Sequence, residues 1–526
     1  MSKLKTLILI PVLLFATGIL AQTTSISDIG NIRKVSSGYI IENEEIKGYY
    51  VFSRVDKVAK KTYAYRLQIY DANMNLAVTK SINKPKNAYL AESSFNGEAF
   101  MFLFVNLSKK TIELETYDKT GTKLGSKLYE KIKPNDIRLY AMLGMLSEES
   151  NNPTIFPVGK RGFLRIRMQM NGMSKYNYQL EYFSNDMSKS ESWTVGTPKD
   201  SKMIEFPAIH SVSDKLATVI ITRRKGAMSK NFLYAMQLLD MENGEVLFEE
   251  PMLDKEYNRS VLYGEYEPTI DEVIVAGNYY DVKDKTTNGK PLGLYFQCYD
   301  KSGKQVKKSY LSWDKDVSKF LDVNAKGRIK EGGFITLHKM VRTEDGKIYA
   351  IGERFRKAVS GAGVAMNVLA AAGGGTSGIS NAKIVLEEMY VFEMDKDFKL
   401  LDVKIFDKRK SNVLLPAGAA YSSPTLLAYI LKGYGWFDYS YTQKDKKRGI
   451  FYSTYLSTLK EKGEGIKPIF GVIAYDGEGG FTEDKINLKS KATEMWVQPA
   501  KPGYVSIWEY HRKEKNITVR LEPINY

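Results

Sequence analysis

The strongest constraint on this chain is a short turn that recurs along almost its whole length. Tyr70-Asp71-Ala72-Asn73, Tyr117-Asp118-Lys119-Thr120-Gly121, Phe183-Ser184-Asn185-Asp186 and Leu239-Asp240-Met241-Glu242-Asn243-Gly244 each end an apolar, alternating run. Tyr299-Asp300-Lys301-Ser302-Gly303, Met394-Asp395-Lys396-Asp397 and Tyr475-Asp476-Gly477-Glu478-Gly479 continue the series. Asp or Asn at such a place bonds its own backbone two residues on, which explains the recurrence without any bound ion. The spacing also lacks the dense oxygen ligands of a calcium loop. A supersecondary unit repeated in this way marks a repeat architecture.

The runs between the turns are rich in β-branched and aromatic residues and carry almost no helical period. They include residues 48–53, 99–105, 163–168, 217–222, 273–277, 348–352, 426–431 and 504–508. Each is read as a strand followed by a basic loop, a second strand, an Asp turn and a shorter outer strand, with one more strand in the link. Four antiparallel strands per unit around an axis predict an all-β fold, a β-propeller. Seven turns, plus a pair of strands after Tyr504 with no turn behind it, predict eight blades, or seven if one unit is degenerate. A large two-part β protein is the remaining alternative. An N-terminal strand should close the ring, because an open sheet edge invites aggregation. Gly38-Tyr39-Ile40-Ile41 is the run expected to do so.

Residues 1–21 read as a secretory signal peptide, with Lys3 and Lys5 before an apolar stretch and cleavage expected after Ala21. No Cys follows the cleavage point, so an N-terminal lipoprotein is not expected. The chain is expected to be exported, periplasmic or extracellular, with 22–526 as one propeller domain. A Gly/Ala-rich loop at 358–382, uncharged from Ser360 to Ser380, interrupts the sixth unit and is too short and Gly-broken to span a membrane. Cys298, the only thiol, has no partner for an internal disulfide and is read as a packed residue.

The search for catalytic motifs returns none. His210, His338 and His511 fall in different units, and no zinc motif, nucleophile elbow or phosphate loop is present. No catalytic residue, metal or cofactor is therefore assigned. The charge is more informative, at a formal +16. In a four-stranded blade the second-to-third hairpins share one end of the ring with the links between blades. The basic residues gather in those hairpins: Lys60, Lys61, Lys109, Lys110, Arg223, Arg224, Lys225, Lys446, Lys447 and Arg448. Such a face draws anionic partners, whereas lysines at hairpin tips also serve only to solvate them. The stretch Tyr434-Gly435-Trp436-Phe437-Asp438-Tyr439-Ser440-Tyr441 adds Tyr434, Trp436, Tyr439 and Tyr441 as stacking candidates, or as one packed face of a strand.

From Gly38 to Tyr526, on turns such as Tyr117 to Gly121 and Tyr299 to Gly303, the chain resembles the loosely repeating, exported β-propeller-like proteins of unknown function found in bacterial envelopes. It lacks the Trp-Asp pair, the kelch Gly-Gly and the Ser-x-Asp-x-Gly-x-Thr-Trp box of better-known propellers. The expected function is a non-enzymatic binding or scaffold protein, monomeric and without a transmembrane segment, that meets an envelope protein or an anionic polysaccharide rather than nucleic acid. The alternative is a propeller glycan hydrolase or lyase using carboxylate or Tyr/Arg chemistry.

Overall fold

The computed structural model describes residues 23–525 apart from 33–34, 43–44, 135, 138–152, 172–174, 196–202, 227–228, 230–231, 362–364, 367–378, 417–421, 462–464 and 489. The signal-like stretch and most of the Gly/Ala-rich insertion lie outside the described residues. Eight antiparallel sheets form an eight-bladed β-propeller. The blades span 35–85, 88–129, 155–195, 204–251, 257–312, 334–416, 439–487 and 494–523. Blade 8 supplies only three strands of its own. Its outer strand is Thr23–Ile26, which pairs antiparallel with Asn516–Pro523 in the register Thr23↔Arg520 to Ile26↔Ile517. An N-terminal strand thus closes the ring, but it is not the run expected. Gly38–Ile41 belongs to Val35–Glu42, the inner strand of blade 1, which is already complete with four strands.

The borrowed strand also accounts for seven Asp turns in eight blades, since blade 8 has no third-to-fourth hairpin. In the seven turns the carboxylate replaces missing backbone partners. Asp118 Oδ1 accepts the N–H groups of Thr120 and Thr122, both at 2.8 Å. Asp71, Asp300, Asp395 and Asp476 repeat the pattern at two and four residues on. The turn needs one left-handed residue, supplied by Gly121 (φ 77°) and Gly303 (φ 82°). At the same position Met74 (φ 63°) and Phe398 (φ 61°) accept the strain and are buried in the core. Phe398 stacks on Phe296 of the preceding blade at 5.2 Å.

Blades pack face to face through aromatic side chains, with Phe52 on Phe102 at 4.3 Å between blades 1 and 2. Tyr49 meets Trp508 at 6.3 Å across the closure between blades 1 and 8. Cys298 is buried among apolar neighbours, and burial first, then Glu272, pushes its thiol up to about 12. That is a packed thiol and a poor nucleophile.

One element contradicts the sequence reading outright. Residues 426–431 are helical, within α1 (Pro424–Gly433). Ser423 caps it by accepting the N–H of Leu426 at 3.2 Å, and Pro424 occupies the first turn, where no N–H is needed. α1 lies in the link between blades 6 and 7 and packs against the inner strands of blades 5 and 6. No helix among the described residues is long and apolar enough to cross a membrane.

Ile26 is 1% exposed, against Trp508, Val519 and Met74, and so carries the closure. Ile26→Ala should cost about 2–5 kcal/mol in urea unfolding. Leu76→Ala, on the exposed outer strand of blade 1, should change stability by no more than about 0.5 kcal/mol.

Candidate functional site

The two ends of the ring differ in how their charges are used. At the end carrying the Asp turns and the first-to-second hairpins, ion pairs lace neighbouring loops. Lys119 meets Glu42 at 2.6 Å, Lys160 meets Glu98 at 3.4 Å and Lys301 meets Asp271 at 2.7 Å. At the opposite, link end, Lys60 and Lys61 of blade 1, Lys109 and Lys110 of blade 2 and Lys225 of blade 4 are exposed, with no carboxylate partner among the described residues. Arg512, Lys513 and Lys515 of blade 8 behave alike. Blades 8, 1 and 2 are consecutive around the ring, so these cations lie on an arc of three neighbouring hairpins, with Glu514 among them.

The other predicted basic residues do not join this arc. Arg223 is held by Glu205 at 2.7 Å and Glu249 at 2.6 Å, and Arg224 lies over the Phe206 ring. Lys446, Lys447 and Arg448 lie at the other end. They join Tyr439–Asp445 to Ile450–Glu461, the first and second strands of blade 7, and Lys447 reaches Glu45 in the corresponding hairpin of blade 1 at 3.3 Å. Reading 426–431 as a strand had shifted the count by one hairpin and with it the end assigned.

The aromatic stretch turns inward. Tyr434 and Trp436 stack on each other at 4.6 Å, and Trp436 packs on the cluster around Phe355 and Leu431. Tyr439 and Tyr441 belong to the inner strand of blade 7, and Tyr439 stacks flat on His338 at 4.6 Å and 3°. All four side chains are half-buried.

What the sequence did not reveal is the wall of the channel. The inner strands of blades 2, 4, 5, 6 and 7 each carry a bulge, where the ladder register shifts at Ala91, His210, Leu262, His338 and Ser440. A bulge bends a strand and frees backbone groups. In blades 5 and 6, α1 satisfies them: Tyr429 Oη donates to Val261 O at 2.6 Å, and Lys432 Nζ donates to Leu262 O at 2.9 Å and Leu337 O at 3.4 Å. Burial pulls Lys432 down to about 8; Glu265 opposes this and Lys339 reinforces it. Burial, then Lys432, lowers His210 to about 3, so it is neutral at physiological pH.

Beside α1 sits a buried ionic cluster drawn from four segments. Lys408 bridges Glu353 at 3.1 Å and Asp438 at 2.5 Å, and Ser411 Oγ donates to Asp438 Oδ1 at 2.7 Å. His338 Nε2 is 3.3 Å from Glu353, which also accepts the Tyr439 N–H at 3.1 Å. Glu353 and the Lys408 side chain are fully buried. Burial pushes the Glu353 carboxyl up, but Lys408 and His338 outweigh it and hold it below the ordinary range. Asp438 goes the other way, to about 6, because burial and the charge of Glu353 exceed the pull of Lys408. Among the described residues no group of three His, Cys, Asp or Glu side chains is arranged to hold a metal ion.

The sign of the Asp438 shift is testable. Between 3.8, its ordinary value, and about 6 the folded protein holds a proton there that the unfolded chain has lost. This group therefore adds stability at pH 4 that disappears as pH rises to 6. Asp438→Asn should gain stability relative to the parent protein progressively from pH 4 to 7, read as urea midpoints. A pH-independent difference would show that Asp438 titrates normally.

Comparison with solved structures returns several enzymes at low similarity. A prolyl endopeptidase matches at 10% identity and TM-score 0.33, over 83% of this chain and 53% of that one. Oligopeptidase B from Trypanosoma brucei matches at 11% identity and TM-score 0.32, over 84% and 54%. A polysaccharide lyase, PL25 ulvan lyase, matches at 12% identity and TM-score 0.36, over 82% and 91%. The chain thus spans about half the length of the peptidases it matches. No curated protein matches its sequence. A family model, however, covers residues 1–525, and with its eight-bladed ring the chain belongs to the family of unknown function DUF6770.

Proposed function

We propose that this is an exported, non-catalytic binding protein whose link end engages an anionic polysaccharide. The observation that carries this reading is the arc of unpaired cations over blades 8, 1 and 2. Seven cations on three neighbouring hairpins, against the single carboxylate of Glu514 within those hairpins, make the arc a local concentration of positive charge. Aligned like charges cost the folded state self-repulsion, which a polyanion would relieve. Binding should then weaken steeply with salt, since the arc is fully solvated. The signal-like residues 1–21 support export.

A second reading has its own support. Asp438 near 6 and Lys432 near 8 lie in the channel wall, and displaced titrations of this kind mark sites of proton transfer. A glycan hydrolase or lyase would use them. Their partners argue for structure instead, since Lys432 caps two bulge carbonyls and Asp438 anchors Lys408 and Ser411.

The test is retention on polygalacturonate beads across a salt series. Reversal of Lys60, Lys61, Lys109 and Lys110 to Glu should lower affinity about tenfold or more and flatten the salt dependence. Reversal of Lys446, Lys447 and Arg448, at the other end, should leave retention unchanged. Equal losses from both sets would reduce the arc to nonspecific charge, and release of reducing ends from the polymer would establish the catalytic reading.

A further inference from the structure

A cleft of about 360 Å³ opens at the link end of blade 6, across the ring from the cationic arc. Its walls come from three separate segments: the link before blade 6, the second strand of that blade, Ile348–Val359, and the first turn of α1. Such a volume lies within the range of small-ligand sites, about 300–1,000 Å³. The chemistry of the walls is mixed in an informative way.

Arg328, Arg356 and Lys357 line it, and Glu331 stands among them, paired with Arg354 at 3.5 Å. The two arginine side chains flank one spot. A Cβ added to Gly332 would lie 3.8 Å from Arg356 Cδ and 4.0 Å from a terminal nitrogen of Arg328. Gly332 and Gly333 have φ of 96° and 103°, so the backbone there passes without side chains and leaves the space between the arginines open. Arg356 is oriented by Glu387, which its Nε meets at 3.1 Å, and Lys357 is oriented by its bond to Ser422 O at 2.6 Å. Arg328 is exposed and has no carboxylate partner among the described residues. At the base of the cleft the half-buried Phe334 is the accessible apolar surface, over Phe355 and Leu427, which are 2% and 1% exposed.

A bare phosphate or sulfate would find the cations but would be repelled by Glu331, and would leave the apolar base uncovered. A neutral sugar would cover the base and give hydroxyls to Glu331, but would leave Arg328 without a counter-charge. A pyranose ring bearing one anionic substituent satisfies all three. Its apolar face lies on the Phe334 ring, its hydroxyls donate to the Glu331 carboxylate, and its acid group lies against the Arg328 guanidinium, with Arg356 beside it. We propose that this cleft binds a single acidic sugar unit, a uronate or a sulfated pyranose. The inference rests on the polysaccharide reading above and deepens it: the arc attracts the chain, and the cleft selects one residue of it.

Calorimetric titration with free galacturonate, galactose 6-sulfate and galactose tests this. The expected result is binding of one or both acidic sugars and not of galactose, with affinity reduced at least tenfold by Arg328→Glu. Arg328 touches no carboxylate, so that variant should keep the parent melting temperature. The Lys60, Lys61, Lys109 and Lys110 reversal should keep the acidic-sugar affinity within about twofold while losing the polymer. The two sugars separate the carboxylate from the sulfate. No binding of either, or binding unchanged by Arg328→Glu, overturns the cleft even if the polymer is still retained. Sugar binding without polymer retention leaves the cleft standing and removes the arc.

Discussion

The carboxylate at the start of each Asp turn organises more than its own hairpin. In five of the seven turns it holds two N–H groups; in blade 4 Asp240 and Asn243 hold one each, and in blade 3 Asp186 and Ser184 do so. The compact turn then rests on the outer strand of the preceding blade. Gly244 in the blade 4 turn lies so close to Trp193 of blade 3 that a Cβ would fall 2.1 Å from the indole. Gly303 stands in the same relation to Phe248 of blade 4, and Gly121 to Lys80 of blade 1. Lys307 of blade 5 donates to Lys396 O in the turn of blade 6 at 3.0 Å. The ring is therefore held at its rim by contacts that require the turns to keep one shape, while the aromatic stacks hold it nearer the axis.

Nearer the axis the regular pattern yields to α1. The inner strand of blade 7 starts at Tyr439, and the residues before it pack against the inner strands of blades 5 and 6 as a helix and an aromatic segment. Burying Lys408, Glu353 and Asp438 beside them is costly in desolvation and is offset only by close pairing and by the Ser411 and backbone bonds. Such a cluster adds little net stability, but it allows one arrangement of the four segments that contribute to it.

The repeat itself was legible because its signal is local: an apolar run, an Asp and a turn residue within a few positions. The count of eight followed from noticing that the last strands lacked a turn. The helix was missed because Leu426 to Leu431 is apolar on every side, and a run of that length does not distinguish strand from helix. The discriminating signal was present in Ser423-Pro424 before it and Gly433 at its end. Missing it moved Lys446 to Arg448 to the wrong end of the ring, while the basic hairpins of blades 1 and 2, upstream of the error, kept their place. The Lys408 cluster had no signal of this kind, since Glu353, Lys408 and Asp438 are brought together by tertiary packing.

The closing ladder between Thr23–Ile26 and Asn516–Pro523 carries a consequence for how the molecule forms. Thr23 pairs with Arg520, so the contact that completes the ring has a very long separation along the chain and is entropically late. Until it forms, Asn516–Pro523 presents an unpaired edge to any other extended chain. The interval between the emergence of the last blade and the capture of the first strand is thus the period in which intermolecular strand exchange competes with folding, and crowding of nascent chains would set its outcome.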